Sequence, residues 1–348
     1  NAQINNNNIA IDDISQNWKR DTSINTPLKI KLDYDQSLKQ WSFPILFGSP
    51  SQTLNIPIDI ASNLIWIVSQ LCMIPYGDAC DYRTTNFFNS SLSNCTGNYT
   101  TFKTKLNDSE LTGLWANDII TINNQLFERI SFGLPMNIKG IDNITIPVTF
   151  AGQIGIAPYQ NNQIVGIALS ENLGSITFGG IDLEYIKGHN ESNIVYQPLP
   201  HLTDTNNQFT FNVTNIYIND QPININGIFR LDNGIQNIKL DNNSLSKIAN
   251  QTYVENNSFN ISFEIANTKW TLPKTVLHGK IGFGSVITGD AEDIDSWIFG
   301  SAFIQSFYIV FDQSTSQFGI ANRDDIESAS DTNVLQILFG LCIPRSDE

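Results

Sequence analysis

Two acidic side chains stand in matching surroundings. Asp59 closes an apolar run and is followed two residues on by Ala61; Asp232 closes Phe229-Arg230-Leu231 and is followed two residues on by Gly234. A buried carboxylate pair activates water for attack on an amide when one member is ionised and the other protonated. Two facing carboxyls share one proton because like charges that close cannot both ionise cheaply. A lone aspartate at a strand end is commonly a turn residue; the repeated context is what points to a pair. Arg230 lies two residues before Asp232, and alternation puts both on one face of a strand. It either pairs with Asp232, which opposes proton sharing, or runs its aliphatic stem to the surface.

The elements that must position these groups read as short strands. Trp41–Phe47 alternates and ends at Gly48. Leu54–Ile60, Leu64–Val68, Ile119–Ile122, Gly174–Gly180, Phe209–Ile218, Ile223–Asp232 and Phe259–Ile265 continue the pattern between turn residues. Long helical periodicity is scarce, with a couple of turns predicted at Asn243–Asn250. Sheets packed on sheets follow, giving an all-β expectation. The halves echo each other: Gln153-Ile154-Gly155 follows the first aspartate, and Ile298-Phe299-Gly300 follows the second. This is a weak internal duplication. Its predicted boundaries are a flexible arm or pro-segment remnant at 1–27, an N-terminal lobe at 28–190, a C-terminal lobe at 191–325 and a tail at 326–348. His189–Ser192 is the linker candidate. The apolar tail segment Val334–Ile343 is too short to span a bilayer, and no apolar run of transmembrane length occurs.

Lysine and arginine total 19 against 34 acidic residues, for a net charge of -15. That excludes a basic footprint for nucleic acid and argues against adhesion to anionic membranes. Of the four cysteines, Cys72 and Cys80 flank a segment with Pro75 and Gly77, which suggests a small disulfide loop. Cys95 and Cys342 are the remainder, and four cysteines allow three pairings. With only three histidines (His189, His201 and His278), none near the close cysteine pair, zinc is a poor alternative. No cofactor or metal is implied. Asn89, Asn94, Asn98, Asn107, Asn143, Asn190, Asn212, Asn242, Asn250, Asn256 and Asn260 each stand in a glycosylation sequon. Together with the cysteine loop they favour a secreted or luminal protein. Trp41, Trp115, Trp270 and Trp297 read as core or lobe-interface residues. His201 and His278 read as surface loop residues, and Asp290–Asp295 as a solvated acidic loop.

The chain resembles the pepsin-like aspartic peptidase family from about Leu32 to Asn322. Tyr34, Trp41 and Gly48-Ser-Pro-Ser-Gln52 are similar to its opening strand and G-T-P-x-Q turn. Asp59-Ile-Ala-Ser62 stands where the family has its first D-T-G-S, and Trp66 follows at the family's spacing. Cys72 and Cys80 match its small disulfide loop. Leu111-Thr-Gly113 looks like part of the flap hairpin. Phe150-Ala-Gly152 through Gly155-Ile-Ala157 is similar to F-D-G-I-L-G-L, and Ser175-Ile-Thr-Phe-Gly-Gly-Ile-Asp182 is a close match. Asp232-Asn-Gly234 takes the place of the second D-T-G. Ile298-Phe-Gly300 and Tyr308-Ile-Val-Phe-Asp312 resemble the closing segment. The resemblance implies a bilobal fold, an inter-lobe cleft for a peptide or protein ligand, and Asp59 and Asp232 as the catalytic pair.

The supporting residues depart from the family. The threonines that tie the two active loops together are Ile60 and Asn233 here, so half of that network is expected to be missing. Ala61 replaces a glycine, while Gly234 is kept. Ser62 keeps the serine that bonds the first aspartate; its counterpart, Ile235, offers no orienting bond. Leu106 stands where a tyrosine near the flap base closes over substrate, so Trp66 is expected to lack its usual partner. Asn107-Asp-Ser109-Glu110 replaces the glycine-rich flap tip. These departures favour a weak or inactive peptidase acting in binding or recognition. The alternative is an active aspartic endopeptidase cleaving at acidic pH through an Asp59/Asp232-activated water. The sequence leaves the oligomeric state open.

Overall fold

The structure, a computed structural model, describes residues 27–36, 39–62, 64–70, 81–82, 87–93, 96–106, 109–140, 147–148, 151–156, 164–170, 173–199, 209–252, 260–273, 287–288 and 297–325. All four cysteines lie outside them, as do His201, His278, Asp290–Asp295 and the sequons at Asn94, Asn107, Asn143 and Asn256. The expected disulfides therefore fall outside the described residues.

The chain is mostly β-sheet, in two main sheet systems consistent with a bilobal, pepsin-like architecture. Among the described residues the larger sheet has 13 strands. Across it run Val195–Pro198, Gln317–Asn322, Phe307–Asp312, Ile164–Leu169, Leu173–Phe178, Leu28–Asp35, Gln40–Phe47, Gln52–Asp59, Gly152–Gly155, Ile65–Ile67, Gln125–Gly140, Ser109–Ile122 and Thr96–Leu106. The second system holds a sheet of five strands, with Gly227–Leu231 beside Trp297–Phe299, and a sheet of four strands around Ile261–Ile265.

Local sequence explains these elements. Leu28–Asp35 alternates apolar and charged residues, so Ile30 and Leu32 are buried while Lys31 and Asp33 face solvent. Phe307–Asp312 is apolar up to its final aspartate, and its first five residues are buried. It needs cover on both faces. That strand pairs with Ile164–Leu169 and so carries the last part of the chain into the sheet of the first part. Arg323, 5% exposed, fastens this junction. Its guanidinium donates to the Leu169 and Gln305 carbonyls and pairs with Asp325.

The second system packs around phenylalanines. Phe299 lies 3.9 Å from Phe303 and 4.2 Å from Phe229 between ring centroids, and Phe211 lies 4.1 Å from Phe318. Trp41, Trp270 and Trp297 are buried and Trp115 half-buried, so the tryptophans fill space as expected. The predicted helix forms at Asn242–Thr252, where Asp241 accepts from the Asn243 and Ser244 N–H groups and Ile248 is buried.

The duplication is structural. Gln52–Asp59 runs parallel to Gly152–Gly155, which is antiparallel to Ile65–Ile67. Gly227–Leu231 runs parallel to Trp297–Phe299, which is antiparallel to Ile238–Lys239. The two glycines after the aspartates' partner strands occupy the same tight place. A Cβ on Gly155 would fall 2.5 Å from the Ser62 carbonyl oxygen, and one on Gly300 would fall 2.3 Å from that of Ile235. Only glycine lets the backbone turns approach this closely. Each aspartate thus lies at the end of a strand locked beside a second one.

Candidate active site

Asp59 and Asp232 are 8% and 6% exposed; Asp59 is the last residue of its strand and Asp232 the first after its own. Their carboxyls are held alike. Asp59 Oδ1 accepts from the Ala61 N–H at 2.8 Å, and Asp232 Oδ1 accepts from the Gly234 N–H at 2.9 Å. Ala61 makes this bond without adopting positive φ, so its methyl is accommodated with no backbone strain. A Cβ at Gly234 would lie 3.2 Å from Asp232 Oδ1, a close but not prohibitive approach.

The two turns are tied together by one side chain. Asn233 Oδ1 accepts from the Ile60 N–H at 2.9 Å, and Asn233 Nδ2 donates to the Ile58 carbonyl at 3.0 Å. A carboxamide carries both a donor and an acceptor. Asn233 therefore grips both sides of the Asp59 strand end by itself. Ser301 Oγ donates to the Asn233 carbonyl at 3.1 Å and steadies that turn in its place. Ile60 has no polar end and is wholly buried in the core.

The supporting residues find other bonds. Trp66, with no flap tyrosine to meet, donates from its indole Nε1 to Gln153 Oε1 at 3.2 Å. Gln153 in turn donates from Nε2 to Asp59 Oδ2 at 2.6 Å. Ser62 contributes through its backbone N–H, which stabilises the ionised Asp59, while its hydroxyl oxygen accepts from the Leu64 N–H at 3.0 Å. Ile235 acts only through its backbone N–H, which stabilises the Asp232 carboxylate. Gln153 escaped sequence reasoning; the available signal was one polar residue inside the apolar segment Phe150–Ala157.

The hairpin expected over the site forms from Thr96–Leu106 and Ser109–Ile122. Leu106 pairs with Ser109 and ends its strand at the far end of the hairpin, not near the hairpin's base. Ser109 and Glu110 belong to the returning strand, and Glu110 pairs with Lys103 across the hairpin at 2.8 Å. Asn107 and Asp108 lie outside the described residues.

The electrostatics couple the pair. Burial pushes the Asp59 carboxyl up to about 7, and the charge of Asp232 adds to the rise. The Ala61 and Ser62 N–H groups and Arg230 oppose it. Asp232 is also raised, first by burial, against the Gly234 N–H, Arg230 and Lys239. Arg230 thus stabilises both carboxylates from its strand, yet burial outweighs it at each. The charge of Asp232 favours the proton on Asp59. Such an arrangement can deliver one proton and accept another at mildly acidic pH.

Among the described residues no group of three or more histidines, cysteines, aspartates or glutamates is placed to hold a metal ion. No helix among them is long and apolar enough to cross a membrane. The sequon asparagines Asn190, Asn212, Asn242 and Asn260 are exposed.

The sequence matches the family described as Eukaryotic aspartyl protease over residues 40–171 and 166–323. It is 25% identical over 316 residues to embryonic pepsinogen of Gallus gallus, covering 80% of this chain and 79% of that protein. It is 26% identical over 318 residues to pepsin A of Rhinolophus ferrumequinum, covering 79% and 78%. It is 25% identical over 316 residues to pregnancy-associated glycoprotein 1 of Bos taurus, covering 80% of each.

Proposed function

Because the chain belongs to the eukaryotic aspartyl protease family, we propose that it is a slow aspartic endopeptidase, cleaving peptide bonds at acidic pH with Asp59 and Asp232. The observation that carries this reading is the coupling of the two buried carboxyls, which raises Asp59 to about 7 through burial and the Asp232 charge. Ionised Asp232 takes a proton from water as its oxygen attacks the peptide carbonyl carbon. Protonated Asp59 gives its proton to the carbonyl oxygen. The tetrahedral diol then collapses: the C–N bond breaks, the nitrogen leaves with the proton held by Asp232, and the diol proton returns to Asp59.

Slowness follows from the substitutions. The family ties its loops with two threonine hydroxyls; here Asn233 serves alone, and Ile60 adds nothing from its side. The Asp232 carboxylate is steadied by the backbone of Gly234 and Ile235. Misplacement of about 1 Å costs about a hundredfold in rate.

The test is hydrolysis of an unstructured protein between pH 3 and 6, with and without a statine inhibitor, beside Asp59→Asn and Asp232→Asn. Cleavage that the inhibitor and both variants abolish is expected. A folded wild-type protein that leaves a broad peptide library intact would refute the reading. A second reading, peptide binding without turnover, is favoured by Ile60, Ala61 and Ile235 in one small region. It predicts statine binding with no hydrolysis. Both readings place the protein in the secretory pathway or outside the cell, supported by its likeness to pepsins and its exposed sequon asparagines.

A further inference from the structure

Gln153 lies directly opposite Trp66 in the antiparallel ladder between Gly152–Gly155 and Ile65–Ile67. One end of its amide accepts from the Trp66 indole at 3.2 Å, and the other donates to Asp59 Oδ2 at 2.6 Å. The orientation of that amide is fixed by chemistry. An indole N–H can only donate, so the oxygen must face Trp66 and the nitrogen must face the carboxyl. With the Ala61 N–H on Oδ1, both oxygens of Asp59 are then held, and the plane of the carboxyl is set. Register places Ile298 at the equivalent position beside Asp232. That side chain is buried and apolar and makes no such bond. The family segment this stretch resembles carries isoleucine where Gln153 stands.

We propose that Gln153 is a positioning residue of the acid pair, bridging Trp66 to Asp59 and giving the two aspartates unequal roles. The inference rests on the reading of Asp59 and Asp232 as the reacting pair. A donor to an ionised carboxylate favours its charged form. The other charges that reach Asp59 are Asp232, from the turn after Gly227–Leu231, and Arg230, on that strand; Lys239 acts on Asp232. All of these stay in place when only residue 153 is changed.

The test compares wild type with Gln153→Met, which keeps length and removes both polar ends, and with Gln153→Glu. Carboxyl carbon NMR, with the Asp59 signal assigned by Asp59→Asn, reads the titration whether or not the protein turns over substrate. In Gln153→Met the Asp59 midpoint rises by about one pH unit, the size of a charge-assisted bond. If wild type hydrolyses peptide, kcat falls about tenfold with KM little changed, and the alkaline limb moves up with the midpoint. Gln153→Glu donates through its O–H only while protonated, so its rate approaches wild type at pH 4 and falls away by pH 6. An unchanged midpoint in folded Gln153→Met overturns the proposal. If that variant does not fold, a Gln153→Glu profile parallel to wild type overturns it. A shifted midpoint without hydrolysis by wild type supports the positioning role and refutes the peptidase. Hydrolysis with no shift does the reverse.

Discussion

Replacing Asp59 by asparagine should change how stability depends on pH, and the sign follows from the direction of the shift. The Asp59 carboxyl rises from its ordinary 3.8 to about 7 in the folded chain, first by burial and then by the Asp232 charge. Between those values the native state binds more protons than the unfolded chain. Stability is therefore fully present below about pH 4 and is lost as pH rises towards 7. A gap of about three pH units at about 1.4 kcal/mol each gives a loss of up to about 4 kcal/mol. Asp232 is raised as well and adds a loss of the same sign.

Asp59→Asn removes the first contribution and leaves the second, which comes from burial of Asp232. Its stability should fall less steeply than that of wild type between pH 4 and 7. Asp241 and Asp312, held below the ordinary carboxylate range by hydrogen bonds that outweigh partial burial, act mainly below pH 4 and cancel in the comparison. Any pH-independent penalty, such as the asparagine amide facing the Gln153 amide, also drops out of the slope. Urea unfolding at pH 4, 5, 6 and 7 measures it. Wild type should lose about 2–4 kcal/mol more than the variant over this range. Curves that run parallel within 1 kcal/mol would refute the coupling on which the proposed chemistry rests.

The other predictions concern the turns that carry the pair. Asn233→Ala leaves the Ile60 N–H and the Ile58 carbonyl without their side-chain partner in a buried site. Urea unfolding should show a loss of about 2–4 kcal/mol, and hydrolysis should fall by more than that loss in folded protein explains. Ile60→Thr restores a hydroxyl where the family has one. Peptide hydrolysis at pH 4 should rise several-fold, and no rise would show that loop bonding is not what limits the rate. Gly300→Ala sets a methyl 2.3 Å from the Ile235 carbonyl oxygen and 2.4 Å from that of Asn237, both backbone atoms. The turn holding Asp232 must shift, so calorimetry with a statine inhibitor should show binding weakened at least tenfold while far-ultraviolet circular dichroism stays the same.

Much of this arrangement was legible from residue type and order. Alternation in Leu28–Asp35 marks a half-buried strand, and the two aspartates read as partners because each closes an apolar strand and enters a turn of small residues. Other features left no such trace. Phe307–Asp312 is apolar on both faces, so periodicity cannot say which sheet it joins, and only its register beside Ile164–Leu169 does. Gln153 is 94 residues from Asp59 in the chain, and nothing local ties the two. Asn233 was visible, and the loss was read at Ile60; what residue type alone does not show is how far the carboxamide reaches. A hydroxyl puts its donor and acceptor on one oxygen, while a carboxamide holds them apart on two atoms. Asn233 spans two backbone groups of the opposite turn, and Gln153 spans an indole and a carboxylate. Neither amide has an equivalent at the matching position, where Ile60 and Ile298 stand. Both therefore act on the Asp59 side. A pair supported this way is no longer interchangeable: Asp59 is clamped at both oxygens by N–H donors that oppose the rise imposed by burial and the Asp232 charge, while Asp232 is held by the Gly234 and Ile235 N–H groups and the charges of Arg230 and Lys239.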